Sequence, residues 1–185
     1  MMTEDNQMMN ILYAPLSYTH SDNLSSIYPS MEILTDVILN HWIITKYHLD
    51  DLPDVWKYDN PISTILISNW YIIPKISYFI GGYILRERLI LDNSVLMSDL
   101  QLLSFISLPL RHSVQGISDY KNINYATFGA AFILGIAKNF PIALKQRLHL
   151  FFPSDMDFPK IKISITPDNI NLLKMAIIYA RNSNK

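Results

Sequence analysis

The chain of 185 residues has no cysteine and only five glycines. Without thiols there can be no disulfide framework, no thiolate zinc site and no cysteine nucleophile, and the composition suits a reducing compartment. Gly81, Gly82, Gly116, Gly129 and Gly135 form neither a dinucleotide fingerprint nor a phosphate-binding loop, and no serine sits in a Gly-x-Ser-x-Gly elbow. Charge is sparse as well, at 17% of residues, against about 25% in ordinary soluble proteins. Fifteen basic residues face 16 acidic ones for a net charge of -1. No segment gathers the bases into a stripe that could neutralise a phosphate backbone, so nucleic acid is not an expected ligand. The start, with Glu4 and Asp5 and no basic region, does not read as a secretory signal.

Nor do the titratable residues assemble a site. Of His20, His41, His48, His112 and His149, only His41 and His48 could share a helical face, and a zinc site needs three or four ligands at tighter spacing. Asp50, Asp51 and Asp54 read as a solvated acidic turn, not as a catalytic pair. The expectation is no metal, no cofactor, no catalytic residue and no enzyme activity.

What is present is apolar. Half the residues are hydrophobic and 12% aromatic, enough for one core that buries roughly 70% of the surface of the unfolded chain. The expected fold class is mainly α: one compact multi-helix domain over 1–185, with 1–10 flexible and at most a short strand near 160–166. The greasiest stretch, 62–85, is long enough to span a bilayer and carries one charge, Lys75. A central lysine costs about 2.5–3.5 kcal/mol on insertion scales, and Pro74 frees carbonyls that lipid cannot satisfy. Two buried helices meeting near Pro74 are therefore expected. The alternative is a small membrane-embedded component spanning at 62–85.

Local signals place the elements. Ser30 caps a helix over 30–48 with Leu34, Ile38, Trp42 and Thr45 on one face, and Pro61 opens a second with Ile62, Leu66 and Trp70 inward. Beyond Pro74, the run Ile76, Phe79, Ile80, Tyr83 and Ile84 continues, and Gly81-Gly82 is expected to admit a close neighbour. Leu96, Leu100, Leu103 and Ile106 mark a helix that stops before Pro109, and 123–137 reads as a small-residue core helix. Pro141 opens another helix, and 160–166 alternates like a strand. Thr166-Pro167-Asp168 starts the last helix, with Ile170, Leu173, Ile177 and Ala180 on one face.

Trp42 and Trp70 fall on apolar stripes and read as core, whereas Trp56, in a polar loop, reads as an exposed anchor. Arg86, Arg88, Lys138, Lys145 and Arg147 read as solvated helix faces, with docking to an acidic partner as the other reading. The residues singled out as partner contacts are Trp56, Lys145 and Arg147.

Several blocks resemble one family, the OrgA/MxiK group, also called SctK, of type III secretion accessory proteins. They are Pro15-Leu16-Ser17-Tyr18 with His20 and Leu24; then Trp70, Pro74, Tyr78, Ile80-Gly81, Leu85-Arg86 and Leu89; then Gln146-Arg147-Leu148 with Leu150-Phe151-Phe152-Pro153; and last Ile178-Tyr179-Ala180. The second block is similar to the family's Trp-x-x-Leu-Pro and Leu-Gly-x-x-x-Leu-Arg pattern, with Ile73 in place of the leucine. The resemblance implies an adaptor of the injectisome sorting platform, in the bacterial cytoplasm and peripheral to the inner membrane at the injectisome base. Its implied partners are the cytosolic domain of the inner-membrane ring protein (SctD-like) and the pod protein (SctQ-like), and through the pod the stator and ATPase. By the same analogy the second block is scaffold, and direct membrane insertion is not expected.

Overall fold

In this computed structural model the structure describes residues 4–25, 34–56, 60–89, 99–117 and 124–182. Among them there are ten α-helices and no sheet, so the mainly helical fold class holds. The chain sorts into two compact units, one made of Met1–Tyr71 and Ala137–Met156, the other of Ile72–Ile136 and Asp157–Lys185.

The first unit holds α1 (Glu4–Tyr13), α2 (Ser21–Leu24), α3 (Asp36–Lys46) and α4 (Pro61–Ile67), with one helix from its second segment, Ile142–His149, labelled α9 below. Of the stretch 1–10, residues 4–10 belong to the helix α1. Met8, Ile11 and Leu12 recur at helical spacing and are buried, and Gln7 donates to the Ile67 carbonyl at 2.5 Å. For α3 the expected face is corrected. Leu39 and Ile43 are buried, while Ile38 and Thr45 are exposed and Trp42 is half-buried beneath the Lys46 ammonium, 4.5 Å from its ring. The proposed cap Ser30 lies outside the described residues. After α3 the chain turns at His48, whose φ of 47° is the left-handed geometry that ends helices. Asn60 caps α4 by accepting from the Ile62 N–H at 2.9 Å, and Pro61 occupies the first turn as expected.

The second unit holds α5 (Ile73–Ile84), α6 (Arg86–Leu89), α7 (Leu100–Ile106), α8 (Tyr125–Ile136) and α10 (Pro167–Asn182). Between α4 and α5 lies a 3₁₀ turn, Trp70–Ile72, so 62–85 is no continuous span. No helix among the described residues is long and apolar enough to cross a membrane. Pro74 sits in the first turn of α5, where its missing N–H costs nothing.

The helices α5 and α8 meet backbone to backbone. A Cβ on Gly81 would lie 1.7 Å from the Tyr125 carbonyl oxygen, and one on Gly129 would lie 1.7 Å from that of Ser77. That is the close neighbour anticipated for Gly81. Aromatic rings fill the rest, with Phe105 5.2 Å from Phe79 and 5.1 Å from Tyr179. For α7 the buried set is Leu102, Phe105 and Ile106, whereas Leu100 and Leu103 are exposed, which corrects the expected face. Leu96 lies outside the described residues.

The alternating segment pairs at one place, an antiparallel bridge between Gln115 and Lys162. Beyond it the Ile161 N–H bonds the Pro159 carbonyl, the Thr166 N–H bonds that of Ser164, and the chain turns at Gly116 with φ 85°. The predicted start of α10 holds. The Thr166 hydroxyl accepts from the Asn169 N–H at 3.3 Å, and Leu172, Leu173, Ala176, Ile177 and Ala180 are buried.

Candidate functional site

Three of the blocks that carry the family resemblance converge in the first unit. Tyr18 lies 5.8 Å from Trp70 in an edge-to-face pair and 5.1 Å from Phe151, and Trp70 lies 5.5 Å from Phe151. Residues far apart in sequence thus share one aromatic cluster. Burial drives the Tyr18 phenol pKa well above its usual value, so the side chain stays neutral and donates to the Ile11 carbonyl.

Arg147 belongs to this framework. On α9 it falls with Ala143, Leu144 and Leu148 on the face turned inward, and it is fully buried. Its Nε and Nη2 donate to the Leu12 carbonyl at 3.2 and 2.9 Å, and its Nη1 donates to those of Asp50 at 2.7 Å and Ala143 at 2.9 Å. The solvated face read from the sequence is corrected here: the guanidinium ties α1 and the 50–51 loop to α9, and no part of it reaches the surface. Burial lowers its pKa, while the charges of Asp51 and Asp50 and the phenols of Tyr18 and Tyr13 oppose the shift.

Asn23, which no sequence signal marked, is a second hub. Its Nδ2 donates to the carbonyls of Leu150 and Phe152, its Oδ1 accepts from the Ser154 N–H at 2.9 Å, and its own carbonyl accepts from the Tyr47 hydroxyl at 2.9 Å. Such buried amides are satisfied on every side because an orphaned group would cost about 1–3 kcal/mol.

The other two residues expected to contact partners remain near the surface. Trp56 is half-buried and follows Val55, which is 87% exposed. Lys145 is half-buried on α9, three positions from Ile142, which is 61% exposed, so the two share one side of the helix. Tyr13, also exposed, donates to Asp51 Oδ1 at 3.2 Å. Among the described residues no group of three or more His, Asp or Glu could hold a metal ion.

The second unit adds a cleft of about 280 Å³ where α6 leaves α5, lined by Ile84, Arg86, Glu87, Arg88, His112 and Ile117. The Arg86 guanidinium lies 4.6 Å over the Tyr83 ring and donates to the Tyr83 hydroxyl, which in turn donates to the Leu108 and Leu110 carbonyls. Burial, and then the Arg86 charge, hold the His112 pKa below its usual value, with Glu87 acting the other way. Sequence reasoning missed this cleft because His112 comes from a segment with no periodicity.

Among the described residues the chain is helical, and Tyr18, Trp70, Arg147 and Phe151, which carry part of the family resemblance, are buried in its core. The family model for OrgA_MxiK, bacterial type III secretion apparatus protein, matches residues 8–182, and the chain belongs to this family. No curated protein and no solved structure matches the chain.

Proposed function

We propose that this protein is a cytoplasmic adaptor of the type III secretion injectisome, peripheral to the inner membrane, which links the cytosolic domain of the inner-membrane ring protein to the pod protein and so to the stator and ATPase. The observation that carries the reading is the family match over 8–182 to a secretion apparatus protein. Two features of the fold support it. The 62–85 stretch is divided between separate helices, none of which could cross a bilayer. Tyr18, Trp70, Arg147 and Phe151 of the family blocks are buried, and Trp56 and Lys145, outside those blocks, are the candidate partner contacts. An adaptor needs two such faces and no chemistry.

The test is co-purification of the tagged full chain from cells with an intact secretion operon, followed by identification of the proteins recovered. Ring and pod proteins are expected. Recovery of no secretion component contradicts the reading.

A further inference from the structure

Gln146 holds a loop of the first unit from outside. Ile142, Lys145 and Gln146 make up the outward side of α9, while Ala143, Leu144, Arg147 and Leu148 face in. The Gln146 Oε1 accepts from the Asp50 N–H at 2.8 Å and its Nε2 donates to the His48 carbonyl at 3.1 Å, so one side-chain amide brackets Leu49. From inside, Arg147 Nη1 donates to the Asp50 carbonyl at 2.7 Å. His48 lies between helix and loop in left-handed backbone, a conformation that residues other than glycine seldom adopt, and the clamp secures it there. Asp51, whose carboxylate accepts from Tyr13, and Leu52 then lead into a turn closed by the Trp56 N–H on the Pro53 carbonyl at 2.9 Å.

Three residues of extended chain reach about 11 Å and a hydrogen-bonded turn spans less than about 7 Å, so the Trp56 backbone lies within about 18 Å of Asp50. A partner covers about 800 Å² on its side of an ordinary interface, a disc roughly 32 Å across. Asp50 is one hydrogen bond from the residue that follows Lys145, so a single footprint spans both Lys145 and Trp56. We infer that Gln146 is a positioning residue: by fixing the 48–50 backbone to the outward side of α9 it joins the loop that ends at Trp56 and the Ile142–Lys145 stripe into one binding face, and Trp56 and Lys145 engage the same partner protein, not one each. Both Gln146 bonds are open to solvent, where a hydrogen bond replaces one to water and adds little stability. Their effect falls on the loop's position, which is then set before the partner arrives. The inference deepens the adaptor reading and rests on it for Trp56 and Lys145 being contacts.

The test titrates the full chain with two probes, the purified pod protein and the purified cytosolic domain of the ring protein. Trp56→Ala and Lys145→Ala should weaken the same probe and leave the other unchanged. Gln146→Ala should weaken that probe too, by about two- to tenfold, the scale of ordering a loop side chain on binding, and should speed hydrogen exchange at the Asp50 amide. In the double variant with Trp56→Ala its effect should shrink, because the loop then has no contact left to place. Asp99→Ala, which removes the cap of α7 in the other unit, should leave both affinities unchanged, and thermal melting of every variant separates lost folding from lost binding. The inference is overturned if Trp56→Ala and Lys145→Ala weaken different probes or neither, if Gln146→Ala leaves both affinities or the Asp50 amide unchanged, or if its effect adds in full to that of Trp56→Ala. Each of those outcomes leaves the adaptor reading standing. Failure of the intact chain to bind either probe contradicts the adaptor reading itself, and this inference with it.

Discussion

Arg147 grips the Leu12 carbonyl with two guanidinium nitrogens, at 3.2 and 2.9 Å, across 135 residues of chain. A lysine keeps the charge but cannot reproduce the fork. Arg147→Lys should therefore lower the unfolding free energy by about 2–4 kcal/mol, from the loss of at least two buried charge-assisted bonds. Urea denaturation measures it, and a loss below about 1 kcal/mol would show the fork to be dispensable.

At the α5–α8 crossing the obstacle to any side chain is backbone, which cannot swing aside. Overpacking ordinarily costs about 1–3 kcal/mol, and Gly129→Ala should fall at or beyond the top of that range. Gly82 offers the contrast, since a Cβ there would meet the Leu102 side chain at 2.5 Å. A side-chain tip can move, so Gly82→Ala should be the milder change. Equal melting temperatures for the two variants would contradict the backbone contact.

Tyr78 donates to Asp99 Oδ2 at 2.6 Å while Asp99 Oδ1 caps α7 by accepting from the Gln101 and Leu102 N–H groups. Burial alone would raise the Asp99 pKa, but the bonds from Tyr78, Leu102 and Gln101, together with the Lys75 charge, hold it below the usual carboxylate range. A depressed folded-state pKa contributes stability that is present above the unfolded value and is lost as pH falls through the folded one. Tyr78 behaves in the opposite sense. Burial, then the bond to the carboxylate, raise its pKa, so its contribution is intact below the unfolded value of 10.0 and fades as pH climbs beyond it. Tyr78→Phe should destabilise the protein at pH 7 and do so less once Asp99 is protonated. Chemical denaturation of both proteins at neutral and acid pH reads this, and a pH-independent difference would rule out the coupling. Asp99→Ala should cost about 1 kcal/mol as a lost helix cap.

Lys145→Ala should leave stability within about 0.5 kcal/mol, as surface changes do, while reducing recovery of the ring or the pod protein with the tagged chain. Trp56→Ala should do likewise at a somewhat larger cost in stability, because its ring is half-buried. Full recovery of both partners with either variant would remove that residue from the interface.

Helix starts were legible because their chemistry is local. Pro61 after Asn60, Pro74, and Thr166-Pro167-Asp168 each mark an N-terminus by residues that touch only their neighbours. Faces were less legible. In α3, Val37, Ile38, Leu39 and Ile43 are all aliphatic, so spacing alone could not choose Leu39 and Ile43 as the buried pair over the exposed Val37 and Ile38. The alternation at 160–166 was real, yet a strand needs a partner, and the partner supplied one residue, Gln115. Arg147 was misread for a related reason: a basic residue late in a helix looks solvated unless one knows that carbonyls from Leu12 and Asp50 arrive to meet it. Of the residues singled out as partner contacts, the sequence could separate Arg147 from Trp56 and Lys145 only through those distant acceptors. The Arg86–His112 cleft was hidden likewise, because its walls come from two segments and no motif joins them.

Whether ring and pod are joined through this chain is read most directly from the position of a fluorescent pod protein in living cells. With the gene for this chain deleted, envelope foci of the pod protein should vanish while the membrane ring still forms, and they should return when the intact chain is supplied. Foci that persist undiminished in the deletion would contradict the link.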